Sequence, residues 1–322
     1  MLLAFAAILL GLIVLVWSSD KFVDNAAFIA ENFGVSKLMV GLTVVALGTS
    51  APEILVSAIA SYQGAPGLAV GNALGSNIAN IGLVLGVTAM VVAIPVHALS
   101  AKQDFPIYLC ITAVVAWVLA DGRLALLDSL VLLSCFVLVI FLVVRFRSKI
   151  KDPVLLNDLL DEGTAEIPVS NTKAIVGFVI GLVFLLLSSR LLVWGAVSVA
   201  ESLGVDELII GLTIVAIGTS LPELAASLSS ALKNHHDLAI GNIVGSNILN
   251  LLAVLPLPGL IQASDIQAEI FSRDYLAMLI LSLMMAAFIW LPLKSPKVTR
   301  IKGLALVLAY FAYMAVLIQA SR

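Results

Sequence analysis

The sequence predicts an all-α polytopic membrane protein: ten transmembrane helices arranged as two inverted-topology repeats of five. Three observations predict it. Hydrophobic residues make up 61% of the 322 and charged ones only 11%, against roughly 25% charged in a soluble domain, so a hydrated surface cannot be built. Apolar runs of spanning length recur along the chain, and about 20 residues suffice to cross a hydrocarbon core of about 30 Å. The chain also repeats itself at one constant offset.

Hydropathy places candidate spans at 1–19, 37–62, 67–94, 105–120 and 124–144, then at 173–193, 207–232, 238–261, 275–293 and 302–320. They divide the chain into a first five-helix unit over 1–144, a cytoplasmic linker over 145–172 and a second, inverted unit over 173–322. The linker carries both charge signs with Pro153 and Pro168, and reads as solvated. Met1 to Trp17 lacks the basic n-region and A-x-A-like site of a signal peptide, so it is read as a retained first span. Cys110 and Cys135 fall inside apolar segments and predict neither a disulfide nor a metal site.

Lys and Arg set the orientation. With ten spans and an outside N-terminus, thirteen of them fall on the inner side, and only Arg123, Arg190, Arg273 and Arg322 on the outer. That positive-inside bias places both termini outside.

The repeat is the most informative feature. GLTVVALGTSAPE at 41–53 returns as GLTIVAIGTSLPE at 211–223, and GNALGSNIAN at 71–80 returns as GNIVGSNILN at 241–250, each 170 residues on. An odd number of spans per copy brings the second copy into the membrane from the opposite side. Inverted repeats of this kind are a common plan of secondary transporters, which bind substrate near the midplane between the copies.

Glu53 and Glu223 sit in the second span of each unit, among apolar residues. A charged carboxylate at mid-bilayer costs several kcal/mol on insertion scales, so each should face the bundle interior and find partners. A lone one could be a protonated hydrogen-bonding group; two at equivalent positions, in the same polar setting, point to a shared site. Thr49, Ser50, Glu53 and Ser57 share one helical face, as do Thr219, Ser220, Glu223 and Ser227. Pro52 and Pro222 cannot donate to the helix ladder, which frees the carbonyls of Gly48 and Gly218, and freed carbonyls are tolerated at depth only where they line a cavity. In the third span of each unit Asn72, Ser76 and Asn80 recur as Asn242, Ser246 and Asn250, spaced by four and so on one face. Such a site offers only hard oxygens. These select Ca2+, Mg2+, Na+ or K+ over transition metals, and flexible coordination suits Ca2+ better than Mg2+.

At GTSAPE, GTSLPE, GNALGSN and GNIVGSN the sequence resembles the sodium/calcium exchangers of the cation/calcium antiporter superfamily, in their compact prokaryotic form. The resemblance implies a Na+/Ca2+ antiporter of the plasma membrane, with alternating access, no cofactor beyond the transported ions and no nucleic-acid or obligatory protein partner. It implies Glu53 and Glu223 as central acidic ligands for Ca2+ and Na+. Thr49, Ser50, Thr219, Ser220, Ser76, Ser246, Asn80 and Asn250 then complete the centre, with Ala46 and Ala216 contributing carbonyls. The first and sixth helices, extended into the polar stretches that follow them, would slide across the core. Asn250 stands where K+-dependent relatives use an acid, so K+ is not expected to be co-transported. The Ca2+/H+ branch, the alternative assignment, usually lacks GTS-x-PE followed by GN-x-x-GSN.

The remaining polar residues get plainer readings. His97, His235 and His236 read as solvated positions. Asp104 and Asp274, which recur at the repeat offset, read as helix caps or gates, with capping preferred.

Overall fold

Among the described residues the regular structure is helical apart from two pairs of two-residue strands. The computed structural model describes residues 1–147, 170–204, 214, 216–291 and 296–320. Among the described residues eight helices are long and apolar enough to cross a membrane, and a bent pair makes a ninth crossing. In chain order the helices are α1 (Leu2–Phe33), the pair α2 (Lys37–Thr49) and α3 (Ala51–Tyr62), α4 (Pro66–Val91), α5 (Ser100–Leu119), α6 (Leu126–Val143), α7 (Asn171–Ser202), the short α8 (Ala216–Thr219) and α9 (Leu221–Leu232), which are not among those nine crossings, then α10 (His236–Ile261), α11 (Ile270–Trp290) and α12 (Arg300–Ala320). The first part of the expected span 207–232 and most of the linker lie outside the described residues.

The first and seventh helices run far past the expected spans 1–19 and 173–193. Each has 32 residues, about 48 Å at 1.5 Å per residue, well beyond a hydrocarbon core of about 30 Å. Polar residues do not stop α1, because Ser18 and Ser19 turn their hydroxyls back to the carbonyls of Leu15 and Val16. It ends where Gly34 takes a left-handed conformation at φ 63°, the usual helix-ending role of glycine. The two long helices pack on each other through glycines: a Cβ at Gly181 would stand 2.7 Å from the Phe22 nitrogen, and one at Gly11 3.0 Å from that of Leu192.

At the centre lie α4 and α10. Their apolar windows are 78% and 94% buried, against 17% for α6 and 28% for α7. The outer helices instead expose Leu3, Leu127, Trp117 and Ile301, the surface a lipid environment requires and water does not favour. Gly241 and Gly245 let α10 meet α2 almost backbone to backbone; a Cβ at Gly245 would stand 2.6 Å from the Leu42 carbonyl oxygen. At the crossing of α4 and α10 the Asn77 amide donates to the Asn247 carbonyl at 3.2 Å. These two asparagines are themselves repeat equivalents.

Two antiparallel strand pairs tie loops of the first half to loops of the second. Ile94 pairs with Val298 and Pro95 with Lys297, while Arg123 pairs with Asp265 and Leu124 with Ser264.

Candidate cation site

Each glutamate sits in the first turn of a helix that restarts after a break. α2 stops at Thr49, Ser50 takes φ −84° and ψ 7°, and α3 begins at Ala51 with Pro52 in its first turn. In the second copy Ser220 takes φ −90° and ψ 5° before α9, with Pro222 at the same place. Proline is tolerated there because the first amides of a helix have no intrahelical acceptor. The axes of α2 and α3 diverge by 47°. The break also sets the positive end of the α3 and α9 dipoles beside the carboxylates those helices carry. Glu53 and Glu223 are 2% and 1% exposed.

The breaks bring the two copies together. Ser50 Oγ donates to Glu223 Oε1 at 3.1 Å, and Thr49 Oγ1 donates to Asn242 Oδ1 at 3.1 Å. α9 packs on the π-helical stretch that Asn80 opens, and α3 on the one that Asn250 opens. Wider π turns are often found at functional positions. Behind the carboxylates the copies match closely. The Asn72 amide donates to Ser57 Oγ at 2.9 Å and to the Glu53 carbonyl at 3.2 Å; the Asn242 amide donates to Ser227 Oγ at 2.9 Å and to the Glu223 carbonyl at 3.4 Å. These asparagines and serines therefore fasten the glutamate helices to α4 and α10.

Among the described residues, Oε2 of Glu53 and of Glu223, Oγ of Ser220 and of Ser246, and both amide heads of Asn80 and Asn250 are buried without a hydrogen-bond partner. Leaving a buried polar group unpaired costs about 1–3 kcal/mol. So many in a well-packed centre, on residues drawn from both copies, form the oxygen-rich lining that a hard cation would satisfy. Two carboxylates are its only acids: among the described residues no cluster of three His, Cys, Asp or Glu could hold a metal.

The other expected positions fall around this centre. Ala46 is buried in α2, where its carbonyl accepts from the Ser50 amide at 3.0 Å; Ala216 opens α8. The carbonyl of Gly218 accepts from Ser189 Oγ of α7 at 3.1 Å. Ser76 and Thr219 line a cavity of about 440 Å3 that also touches Asn72, Arg273 and Asp274. Thr219 also lines a second, of about 350 Å3, together with Pro52, Pro222 and Arg190.

Two readings need correction. His235 is not simply solvated: it is half-buried, with Nδ1 3.2 Å from Lys37 Nζ. Asp274 is not a cap, because α11 begins four residues before it. It accepts from Arg273 Nε at 2.7 Å, Arg273 Nη2 at 3.0 Å and the Tyr313 hydroxyl at 3.0 Å. Two features went unread in the sequence: Asn77 and Asn247, the last residue of each GSN, and a charged cluster of Asp20, Asp24 and Lys233. The first was signalled by the repeat; the second has no counterpart there.

Known proteins resemble the chain over nearly its whole length. The family model described as "Sodium/calcium exchanger protein" matches residues 3–145 and 173–319. CaxA of Alkalimonas amylolytica is 44% identical over 98% of this chain and 99% of its own length. Inner membrane protein YrbG of Escherichia coli (strain K12) is 37% identical over 98% of this chain and 97% of its own length. The solved structure of the sodium-calcium exchanger NCX_Mj superposes with a TM-score of 0.80 at 34% identity, covering 98% of this chain and 99% of that one.

Proposed function

Because the chain belongs to the sodium/calcium exchanger family, we propose that it is a secondary-active antiporter exchanging Na+ for Ca2+. The observation that carries this reading is the buried group of unpartnered oxygens around Glu53 and Glu223, drawn from both copies of the motif. Ca2+ is held by the two carboxylates, with Ser76, Ser246, Thr49, Thr219, Ser50, Ser220, Asn80, Asn250 and the carbonyls of Ala46 and Ala216 as further oxygens. Na+ occupies the same centre in turn. Two ionised carboxylates neutralise one Ca2+, so exchange for more than two Na+ moves net charge.

The chain is a multi-span membrane protein. We place it in the plasma membrane as ten spans in two inverted repeats, 1–144 and 173–322, joined by a cytoplasmic linker, with both termini outside. Pairing of the 94–95 loop with 297–298, and of 123–124 with 264–265, supports this count, because ten spans put each paired set of loops on one side. The span over 207–232 would be the tenth, with α8 and α9 as its described part.

Coupling is decided by flux. In reconstituted vesicles, Ca2+ uptake is measured with Na+, K+ and H+ gradients imposed one at a time. Uptake that follows Na+ and ignores the other two supports the reading, with Asn250 in place of an acid accounting for indifference to K+. Uptake that follows the pH gradient alone would select Ca2+/H+ exchange.

A further inference from the structure

The two sides of the site are closed to different degrees. On one, Val56 of α3 lines the cavity of about 350 Å3, whose far wall includes Arg190, Val193 and Trp194 of α7. The repeat equivalent of Val56 is Ala226 of α9, and there the space is filled. Ala226 is fully buried in an apolar cluster with Phe22, Val23 and Ala26 of α1.

A polar clasp lies at the edge of that filled seam. Ser229 Oγ donates to Asp20 Oδ1 at 2.6 Å, and Lys233 Nζ lies 2.5 Å from Asp24 Oδ1 and 3.7 Å from Asp20 Oδ1. The lysine also reaches the Asp20 carbonyl at 3.4 Å. It stands at the C-cap of α9, where the helix dipole favours a cation. On the cavity side the equivalent positions hold Arg190, Trp194, Ile59 and Gln63, which bring no acid and cannot form the clasp. Among the described residues, the same fold thus carries an acid–base fastener on one side of its site and none on the other.

We propose that Asp20, Asp24, Ser229 and Lys233 are positioning residues that hold the α1 side of the site shut and so set which face of the membrane the resting protein opens to. This rests on the exchanger reading above, whose orientation makes the clasped side cytoplasmic. Breaking the clasp shifts the resting population toward cytoplasmic access and away from the cavity lined by Val56, because one site serves both sides.

The test is side-specific modification of single cysteines. In a Cys110→Ala, Cys135→Ala background, Val56→Cys and Ala226→Cys are reacted with a membrane-impermeant methanethiosulfonate in right-side-out and inside-out vesicles. Lys233→Gln is expected to speed modification at Ala226→Cys about three- to fivefold, the scale of a partly exposed ion pair, and to slow it at Val56→Cys by a similar factor. Asp24→Asn does the same from the other partner, and the exchange Asp24→Lys with Lys233→Asp returns both rates toward the parent. Unchanged rates in both single variants overturn the proposal, and so does a parallel rise at both reporters, which marks general loosening. Modification is read without any ion gradient. A protein that fails to exchange Na+ for Ca2+ therefore sinks the exchanger reading, while the two rates still judge the clasp.

Discussion

The Ser50 hydroxyl donates to Oε1 of Glu223 across 3.1 Å, so the break in one copy of the motif holds the carboxylate of the other. In the proposed site neither copy is sufficient alone. Each copy supplies an acid on a restarted helix, with an asparagine amide of its own copy on that acid's carbonyl, and across the interface the first copy gives the Ser50 hydroxyl to the Glu223 carboxylate. In the first copy the break turns the chain and the small polar residue at the turn, Ser50, reaches across; its equivalent Ser220 is buried without a partner.

Ser50→Ala should weaken Ca2+ binding without unfolding the protein. Hydrogen bonds to charged groups contribute about 1.5–3 kcal/mol, which corresponds to a loss of roughly tenfold to a hundredfold in affinity. Calorimetric titration of the purified protein with Ca2+ checks this. An unchanged affinity would remove Ser50 from the centre.

Glu53→Gln and Glu223→Gln should each abolish Na+-driven Ca2+ uptake, by roughly a hundredfold or more, since each removes one of the two charges facing a divalent ion. Both variants should remain folded, because glutamine fills the same volume. Uptake in vesicles is the measurement, and wild-type flux in either variant would sink the assignment of that residue.

Close helix contact predicts a contrast between two glycines. A Cβ at Gly245 would meet the Leu42 carbonyl oxygen at 2.6 Å and Ala46 Cβ at 2.9 Å, whereas one at Gly67 meets only Ile270 Cδ1, at 3.8 Å. Gly245→Ala should cost about 1–3 kcal/mol through overpacking and impair transport by displacing α2 from α10. Gly67→Ala should be neutral or slightly stabilising. Thermal midpoints in detergent distinguish the two.

His235, in the loop before α10, gives the fold a pH dependence. Burial, with the neighbouring Lys37 adding to it, pushes the imidazole down to about 4, although Asp24 pulls the other way. The unfolded chain therefore binds more protons than the folded one between about 4 and the ordinary histidine value near 6.5. Stability is full above that window and falls as pH drops through it. The thermal midpoint should decline by a few degrees from pH 7 to pH 4.5, and His235→Gln should flatten the decline.

Much of this was legible in the residues because the chain states it twice. The proline-marked breaks before α3 and α9, the four-residue spacing of Asn72, Ser76 and Asn80, and the buried glutamates all follow from local rules that hold wherever the motif lies. What the residues did not reveal depends on contacts distant in sequence. Ser18, Ser19 and Asp20 end the apolar run, and the family resemblance alone implied a longer first helix; α1 does continue to Phe33, with its polar groups satisfied within the helix or by α9. Asp274 looked like a cap because its helix start was placed too late, and its ties to Arg273 and Tyr313 need α11 and α12 in place. His235 looked solvated because Lys37, its partner, lies 198 positions away.

The glycine-lined contact between α1 and α7 has a further consequence. Backbone approaches at Gly11 and Gly181 hold the two long helices in close contact. On the exchanger reading proposed above, such a pair displaced over the core would uncover one mouth of the site only by covering the other. On that reading both mouths would not stand open together, and a Na+ gradient would not be dissipated through an idle protein. On the same reading, a bulky residue at Gly181 would cost more than stability: it would let the two helices move separately and turn an exchanger into a leak.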